Sequence, residues 1–357
     1  MTTTAITALG SDVHLIDTAM SGYDGITAAY AILGDRPCLV ETGTATSART
    51  VVEALASLGV GAADLATIVV THIHLDHAGG VGDLAKAFPR ARIVVQEAGA
   101  RHLADPSRLM ASARRVFGDA MDDVFGELLP TPAERIEAIG ARGRVDLGGG
   151  RYLEGHHTPG HARHHLGLVD SVSGDLYVGD AAGLYIPPDG ADPLTGLAPG
   201  SANGSGNSDM NGSGEVSAGA GAGAAAGADV AGTILPGTPP PDFDLDLALD
   251  SLARMRQLGS TRLLFSHYGP ITRVDESLER AEEELRVWVG LVREARSEQM
   301  DLDHTLALVR DRTRERYARL LARPEIAAKF EALSSSVANV AGISRWLESL
   351  DAAAQTD

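Results

Sequence analysis

Four residues able to hold a metal ion fall close together in Thr71-His72-Ile73-His74-Leu75-Asp76-His77-Ala78-Gly79-Gly80. In an extended segment, residues two apart point to the same side, so His72 and His74 can pinch one ion. Asp76 and His77 follow where the chain turns and could face a second ion beside it. Three more residues of the same chemistry stand downstream, each closing a strand-like run: His161 in Thr158-Pro159-Gly160-His161, Asp180 in Tyr177-Val178-Gly179-Asp180, and His267 in Phe265-Ser266-His267-Tyr268-Gly269. Neutral imidazole suits zinc or iron, and a carboxylate can span two ions roughly 3.5–4 Å apart. Such a pair lowers the pKa of water and yields hydroxide near neutral pH, a nucleophile for a carbonyl or phosphoryl centre.

The elements around these residues read as a sheet-rich frame. The apolar, β-branched run Thr67-Ile68-Val69-Val70 reads as a buried strand, and Gly79-Gly80 turns the chain into a helix over 83–88. The four clustered residues therefore lie on a strand-to-helix loop, where binding residues often sit. Upstream, 13–17 reads as a strand and 27–40 as a hairpin ending at Glu41, and a helix over 47–58 stops at Gly59. Downstream come a strand over 91–95, a helix over 97–103 and a helical stretch over 106–130. The last carries Met110, Val116, Phe117, Met121, Val124, Phe125 and Leu128, a stripe read as core packing and placed where it could also roof a site. Strands return over 135–138, 144–147, 151–157, 165–170 and 176–178. Leu245 to Leu258 reads as an amphipathic helix, and 262–266 as the strand that delivers His267. Residues 189–232 are dominated by Gly, Ala, Ser and Asn. They cannot bury enough apolar surface to offset their ordering entropy, so a disordered insertion is expected there. From 275 onward the pattern is helical, over 275–296, 301–321 and 325–350.

The His-x-His-x-Asp-His run, followed in order by His161, Asp180 and His267, resembles the metallo-β-lactamase superfamily. An isolated His-x-His would be read as a surface loop; the ordered recurrence of the other motifs over residues 10–270 is what carries the resemblance. It implies a four-layered αββα sandwich over 5–274 with a C-terminal helical appendage over 275–357. It also implies that His72, His74 and His161 hold one metal, that Asp76, His77 and His267 hold a second, and that Asp180 bridges them. Asp76 would in addition orient the attacking water, as the catalytic carboxylate. Two divalent ions are the expected cofactors, zinc first, with iron or manganese as alternatives. Glu41 stands where many relatives have an aspartate, at the edge of the site and outside the metal shell. No cysteine occupies a ligand position, which favours the glyoxalase-II-like, lactonase-like and phosphodiesterase-like branches. His164 and His165, close behind His161, and Tyr185, just after a ligand-bearing strand, are candidate substrate contacts. Support of the metal ligands is the alternative for the two histidines, and packing the plainer reading of the tyrosine.

The expected reaction is hydrolysis of a small ester, thioester or lactone. A second reading, in the same fold, is a mononuclear iron enzyme like the persulfide dioxygenases, using His72, His161 and Asp180. A third is an RNA-processing nuclease. The formal net charge of −18 and a Gly/Ala loop without Lys or Arg argue against a nucleic-acid partner. The single cysteine, Cys38, excludes a disulfide within the chain. With no basic, apolar leader and no apolar run long enough to cross a bilayer, a cytoplasmic protein without a membrane partner is expected. The terminal helices could form a homo-oligomer contact or cover the mouth of the site.

Overall fold

The structure is a computed structural model that describes residues 5–192, 194, 196, 232–333 and 335–355. The chain begins with the strands β1 (Ile6–Gly10), β2 (Val13–Asp17), β3 (Ala28–Ile32) and β4 (Cys38–Val40), an antiparallel meander. Helix α1 (Ala48–Ser57) leads to β5 (Thr67–Val69). The short α2 (Leu75–Ala78) and α3 (Val81–Ala87) lead to β6 (Arg92–Gln96). After α4 (Glu97–Ala104), α5 (Ser107–Phe117) and α6 (Ala120–Val124) comes β7 (Ile136–Ile139). These seven strands form one sheet in sequence order, and β4 to β7 run parallel.

A second sheet opens with β8 (Arg142–Asp146), β9 (Tyr152–His157), β10 (Leu166–Asp170) and β11 (Asp175–Gly179). A separate pair, β12 (Leu184–Ile186) and β13 (Thr233–Leu235), flanks the Gly/Ala-rich stretch. Most of the expected disordered insertion at 189–232 lies outside the described residues. Helix α7 (Leu245–Gln257) follows, N-capped by Asp244, whose carboxylate accepts the Leu247 N–H. Strand β14 (Arg262–Phe265) joins β11 in parallel, and β15 (Gly269–Ile271) completes the six-stranded order β15-β14-β11-β10-β9-β8. The chain ends in α8 (Val274–Ser297), α9 (Leu302–Thr313), α10 (Ala318–Leu321), α11 (Pro324–Leu333) and α12 (Ser336–Ala354).

Strand alternation sorts the apolar residues into three cores, the three interfaces of a four-layered αββα sandwich. Val13, Leu15, Val40, Val69 and Val94 of the first sheet meet Leu153, Leu166, Leu168, Tyr177 and Leu264 of the second between the sheets. Their neighbours Ile68, Val70, Ile93 and Val95 point outward onto α1, α3 and α4. Leu176, Val178, Leu263 and Phe265 point the other way, onto α7, α8, α9 and α12. Each such side chain, fully buried, contributes roughly 1.5–3 kcal/mol.

Two readings need correction here. In the stripe over 106–130, Met110, Met121, Phe125 and Leu128 are buried but Val116 and Phe117 are exposed. Gly118 ends α5 with a positive φ of 57°, and the following turn leaves the last residues of α5 outside the core. The single helices expected over 301–321 and 325–350 are each broken. Helix α9 stops at Thr313. In the other stretch Ser335 starts a new helix by accepting the Ala338 N–H on its side-chain oxygen.

Candidate metal centre

Strand ends on one edge of the sandwich supply all seven residues. His72 and His74 lie on the extended run after β5, and Asp76 and His77 lie in the single turn of α2. His161 comes from the loop between β9 and β10, Asp180 follows β11, and His267 follows β14. Here the sheets are tied together by backbone bonds from Leu166 N–H to Thr71 O (2.7 Å) and from Ala28 N–H to Ser266 O (2.8 Å). Gly179 has φ +50°, and a Cβ there would lie 2.4 Å from His165 Nε2 and 2.5 Å from Thr71 Oγ1. Only glycine lets the end of β11 come that close.

The donor atoms fall into three overlapping groups, each with its atoms within 4.8 Å of one another: His72, His74 and His161; His72, His77 and Asp180; and Asp76, His77 and His267. In the first, His74 Nδ1 is 3.0 Å from His72 Nε2 and 2.9 Å from His161 Nε2. In the last, His267 Nε2 is 3.1 Å from His77 Nε2 and 3.2 Å from Asp76 Oδ2. Asp180 stands between them. Its Oδ2 is 3.6 Å from His161 Nε2, and its Oδ1 is 3.3 Å from His77 Nε2 and 3.6 Å from His267 Nε2. Asp180 Oδ1 is buried and accepts no hydrogen bond, and the ring nitrogens of each group converge within one ion's reach. A cation at the centre satisfies all of these atoms at once, so the residues present fit a metal.

Partners behind the rings fix which nitrogen points inward. His161 Nδ1–H donates to Gly237 O (3.0 Å) and His267 Nδ1–H to Ile26 O (2.9 Å), leaving each Nε2 free as a ligand atom. His72 Nδ1–H donates to Thr71 Oγ1 (3.0 Å), whose hydroxyl donates to Glu41 Oε1. The same Glu41 oxygen is 3.4 Å from His77 Nδ1 and accepts from Ser266 Oγ (3.2 Å). Glu41 is buried and adopts φ +67°, unusual for a residue with a side chain. It supports a histidine on each side of the centre.

Charge divides the centre. Burial, with the neighbouring imidazoles, pushes His72 and His74 well below the usual histidine range, so both are neutral. Burial also opposes charge on His77, but Asp180, Asp76 and Glu41 outweigh it and raise His77 well above that range. His267 is raised in the same way, against its burial, by Asp180 and the Asp76 contact. Burial alone would raise the carboxyls of Asp76 and Asp180; the charge of His77 and the contacts with His267 bring both below the usual range.

The three candidate substrate contacts fall in different places. His165 is fully buried and uses both ring nitrogens: Nε2 accepts the Asp180 N–H (3.1 Å), so Nδ1–H donates to Thr158 Oγ1 (2.8 Å). It therefore positions Asp180 and has no ring nitrogen left for a substrate. Tyr185 is in the core against Phe265, its hydroxyl donating to Gly196 O, and a ring with no exposure cannot meet a substrate. The apolar faces of β12 and its neighbours captured it. His164 lies beside the centre, its ring 5.8 Å from that of His74, with Nδ1 accepting the Ile73 N–H at 3.4 Å. Burial first, then His161, lowers its pKa to about 3. Sequence reading placed Glu41 at the site's edge without its partners. Thr71 and the Gly237 and Ile26 carbonyls carried no signal of their own beyond Thr71's place beside His72.

This is a metal-binding αββα centre, and the comparisons agree on its class. The profile described as the Metallo-beta-lactamase superfamily matches residues 22–267, and the chain belongs to that superfamily. A stretch of 121 residues is 32% identical to the Metallo-beta-lactamase fold-containing protein ST1585 of Sulfurisphaera tokodaii, covering 33% of this chain and 45% of that protein. Another, of 133 residues, is 33% identical to a hydroxyacylglutathione hydrolase of a Synechococcus species, covering 37% of this chain and 40% of that enzyme. The matched stretches thus span less than half the length of either relative. The crystal structure of ST1585 from Sulfolobus tokodaii superposes with a TM-score of 0.54 at 22% identity over 78% of this chain and 86% of that one, a likeness of fold. No helix among the described residues is long and apolar enough to cross a membrane.

Proposed function

We propose that this chain is a hydrolase with two divalent metal ions, zinc foremost, acting on a small ester, thioester or lactone. The observation that carries the reading is Asp180, whose two oxygens face opposite groups of imidazoles, Oδ2 toward His161 and Oδ1 toward His77 and His267. His72, His74 and His161 would hold one ion, Asp76, His77 and His267 the other, and Asp180 both. When bound, the ions supply acidified water and polarise the substrate carbonyl. The chain's own residues do the rest. The Gly237 and Ile26 carbonyls hold the inward tautomers of His161 and His267, and Glu41 holds His77 directly and His72 through Thr71. Asp76 is the most exposed carboxylate of the centre, at 15%, against 7% for Asp180 and 2% for Glu41. It is therefore placed to orient the water and to pass its proton from a carboxylate oxygen to the leaving group. His164 is the remaining candidate for touching the substrate. The similarity to a hydrolase of hydroxyacylglutathione supports a small acyl substrate, and the acidic surface disfavours nucleic acid.

Elemental analysis of the purified chain, followed by a screen of esters, thioesters and lactones, tests the proposal. About two ions per chain and turnover that chelation abolishes and zinc restores are expected. One iron per chain with persulfide-dependent oxygen uptake would replace the hydrolase with the dioxygenase reading.

A further inference from the structure

A cavity of about 600 Å³ lies among the C-terminal helices, within the roughly 300–1,000 Å³ range of small-molecule sites. It is separate from the metal centre: Leu235 lines it on one side and faces the His161 and Asp180 surroundings on the other. Its floor is apolar, built by Trp288, Val309, Tyr317 and Leu320, all buried. The polar atoms of that floor are already used. Trp288 Nε1–H donates to Tyr317 Oη (2.8 Å), and the tyrosine hydroxyl donates to Glu284 Oε2 (2.7 Å). Thr313 Oγ1 donates to Val309 O (2.7 Å). A ligand lying on this floor meets hydrocarbon and aromatic faces.

The rim differs in charge. Arg310, Arg314 and Glu331 all line the cavity; Glu331, 3.5 Å from Arg310, offsets that charge, and Arg314 is exposed with no ion-pair partner among the described residues. In a chain of net charge −18, an unpaired guanidinium above an apolar cavity sets an electrostatic preference at this opening. Leu321, also on the rim, is 52% exposed, an apolar surface left open to water.

We propose that this cavity binds a single-chain anionic amphiphile of the fatty-carboxylate class, tail on the Trp288–Leu320 floor and carboxylate at Arg314. The guanidinium fork suits a carboxylate, and the tail gains by leaving water. The inference does not depend on the hydrolase reading.

The two tryptophans of the chain are Trp288 and Trp346, so Trp346→Phe leaves the cavity's own residue as the sole indole reporter. Dodecanoate below its micelle concentration should change Trp288 fluorescence saturably, with one site by calorimetry. Arg314→Ala should weaken binding on the order of tenfold, and dodecylamine should bind more weakly than dodecanoate. Ala327→Trp, which places an indole in the cavity, should abolish binding while the thermal transition is kept. If that variant fails to fold, Leu321→Glu at the rim should weaken binding instead. No saturable response, equal affinity for the amine, or undiminished binding in both cavity variants would overturn the proposal. So would sedimentation with anionic phospholipid vesicles without binding of free dodecanoate, which would assign the surface to a membrane.

Discussion

The two ends of the sandwich both bury charge, and they neutralise it differently. At the end away from the metal centre, Asp170 and Asp175 are buried, and each meets an arginine. Arg151 pairs with Asp170 and also donates to Ser11 O (2.8 Å). Arg262 pairs with Asp175 (2.7 Å) and donates to Leu9 O (3.0 Å). Each arginine thereby latches the second sheet to the β1–β2 hairpin, Arg151 at its turn and Arg262 at the end of β1. At the other end Asp180 is buried and Asp76 half-buried, without any arginine or lysine beside them among the described residues. Their partners are histidines that also face one another, and Asp180 Oδ1 is left without a hydrogen bond. Buried charge must be paired or coordinate a metal. The arginine end is complete within the chain, whereas the histidine end leaves a buried carboxylate oxygen and converging imidazoles that fit a cation. One end is closed by the chain's own ion pairs and the other is left fit for a bound ion.

The comparison can be broken by exchanging the consequences of mutation at the two ends. The largest effect is expected from Asp180→Ala, which removes the carboxylate facing both halves of the centre. Hydrolysis should fall to background and metal content below one ion per chain by elemental analysis. Asp76→Ala should also reduce hydrolysis to background but spare the His72, His74 and His161 group, leaving about one ion per chain. Retention of full activity on the true substrate would sink the two-metal reading.

Arg151→Ala tests the opposite end. It should destabilise the fold by about 3–5 kcal/mol, because Asp170 is left buried and unpaired, with metal stoichiometry unchanged in denaturant-free buffer. A melting temperature equal to the parent's would show that the arginine end is not a stability device.

Smaller effects should come from behind the ligands. Glu41→Gln should lower metal affinity or activity about 10–100-fold, since one carboxylate supports both His72 and His77. Thr71→Val should act more on the His72 side than on the His77 side, which single-ion affinity measurements would separate.

The mildest test is protonation in the metal-free protein, read from imidazole nitrogen shifts. His72 and His74, lowered from 6.5, should remain neutral as the pH falls below that value, while His77, raised from 6.5, should still be charged at pH 7. The signs for stability are opposite. The unfolded chain binds more protons than the folded one at His72 and His74, so their contribution is lost as pH falls below 6.5. The His77 contribution is full below 6.5 and is lost as pH rises through its raised folded value.

The seven residues of the centre were legible because each closes a strand-like run, and strand ends at one edge of a sandwich must come together. The local period also gave the strands around them, since Ile68, Val70, Ile93 and Val95 alternate with Val69 and Val94. For Tyr185 the sequence left substrate contact open beside packing, because standing just after a ligand-bearing strand does not say which way a ring points; the core buried it. The role of His165 was open for a related reason: two adjacent histidines look alike until Gly179 brings the Asp180 N–H against one of them. Helical period alone also ran α11 and α12 together, because the Ser335 cap is a local hydrogen bond that the apolar spacing does not reveal.

By itself, the sequence determined the donor chemistry of the candidate centre, the alternation that builds two sheets, and the family, since these depend on residue type and spacing along the chain. Only the tertiary structure decided that Asp180 faces both groups, that Glu41 stands behind two histidines, that the Gly237 and Ile26 carbonyls set the tautomers, and that the terminal helices enclose a cavity. Those facts rest on atoms distant in sequence meeting within hydrogen-bond reach, and such meetings are fixed by how the layers pack.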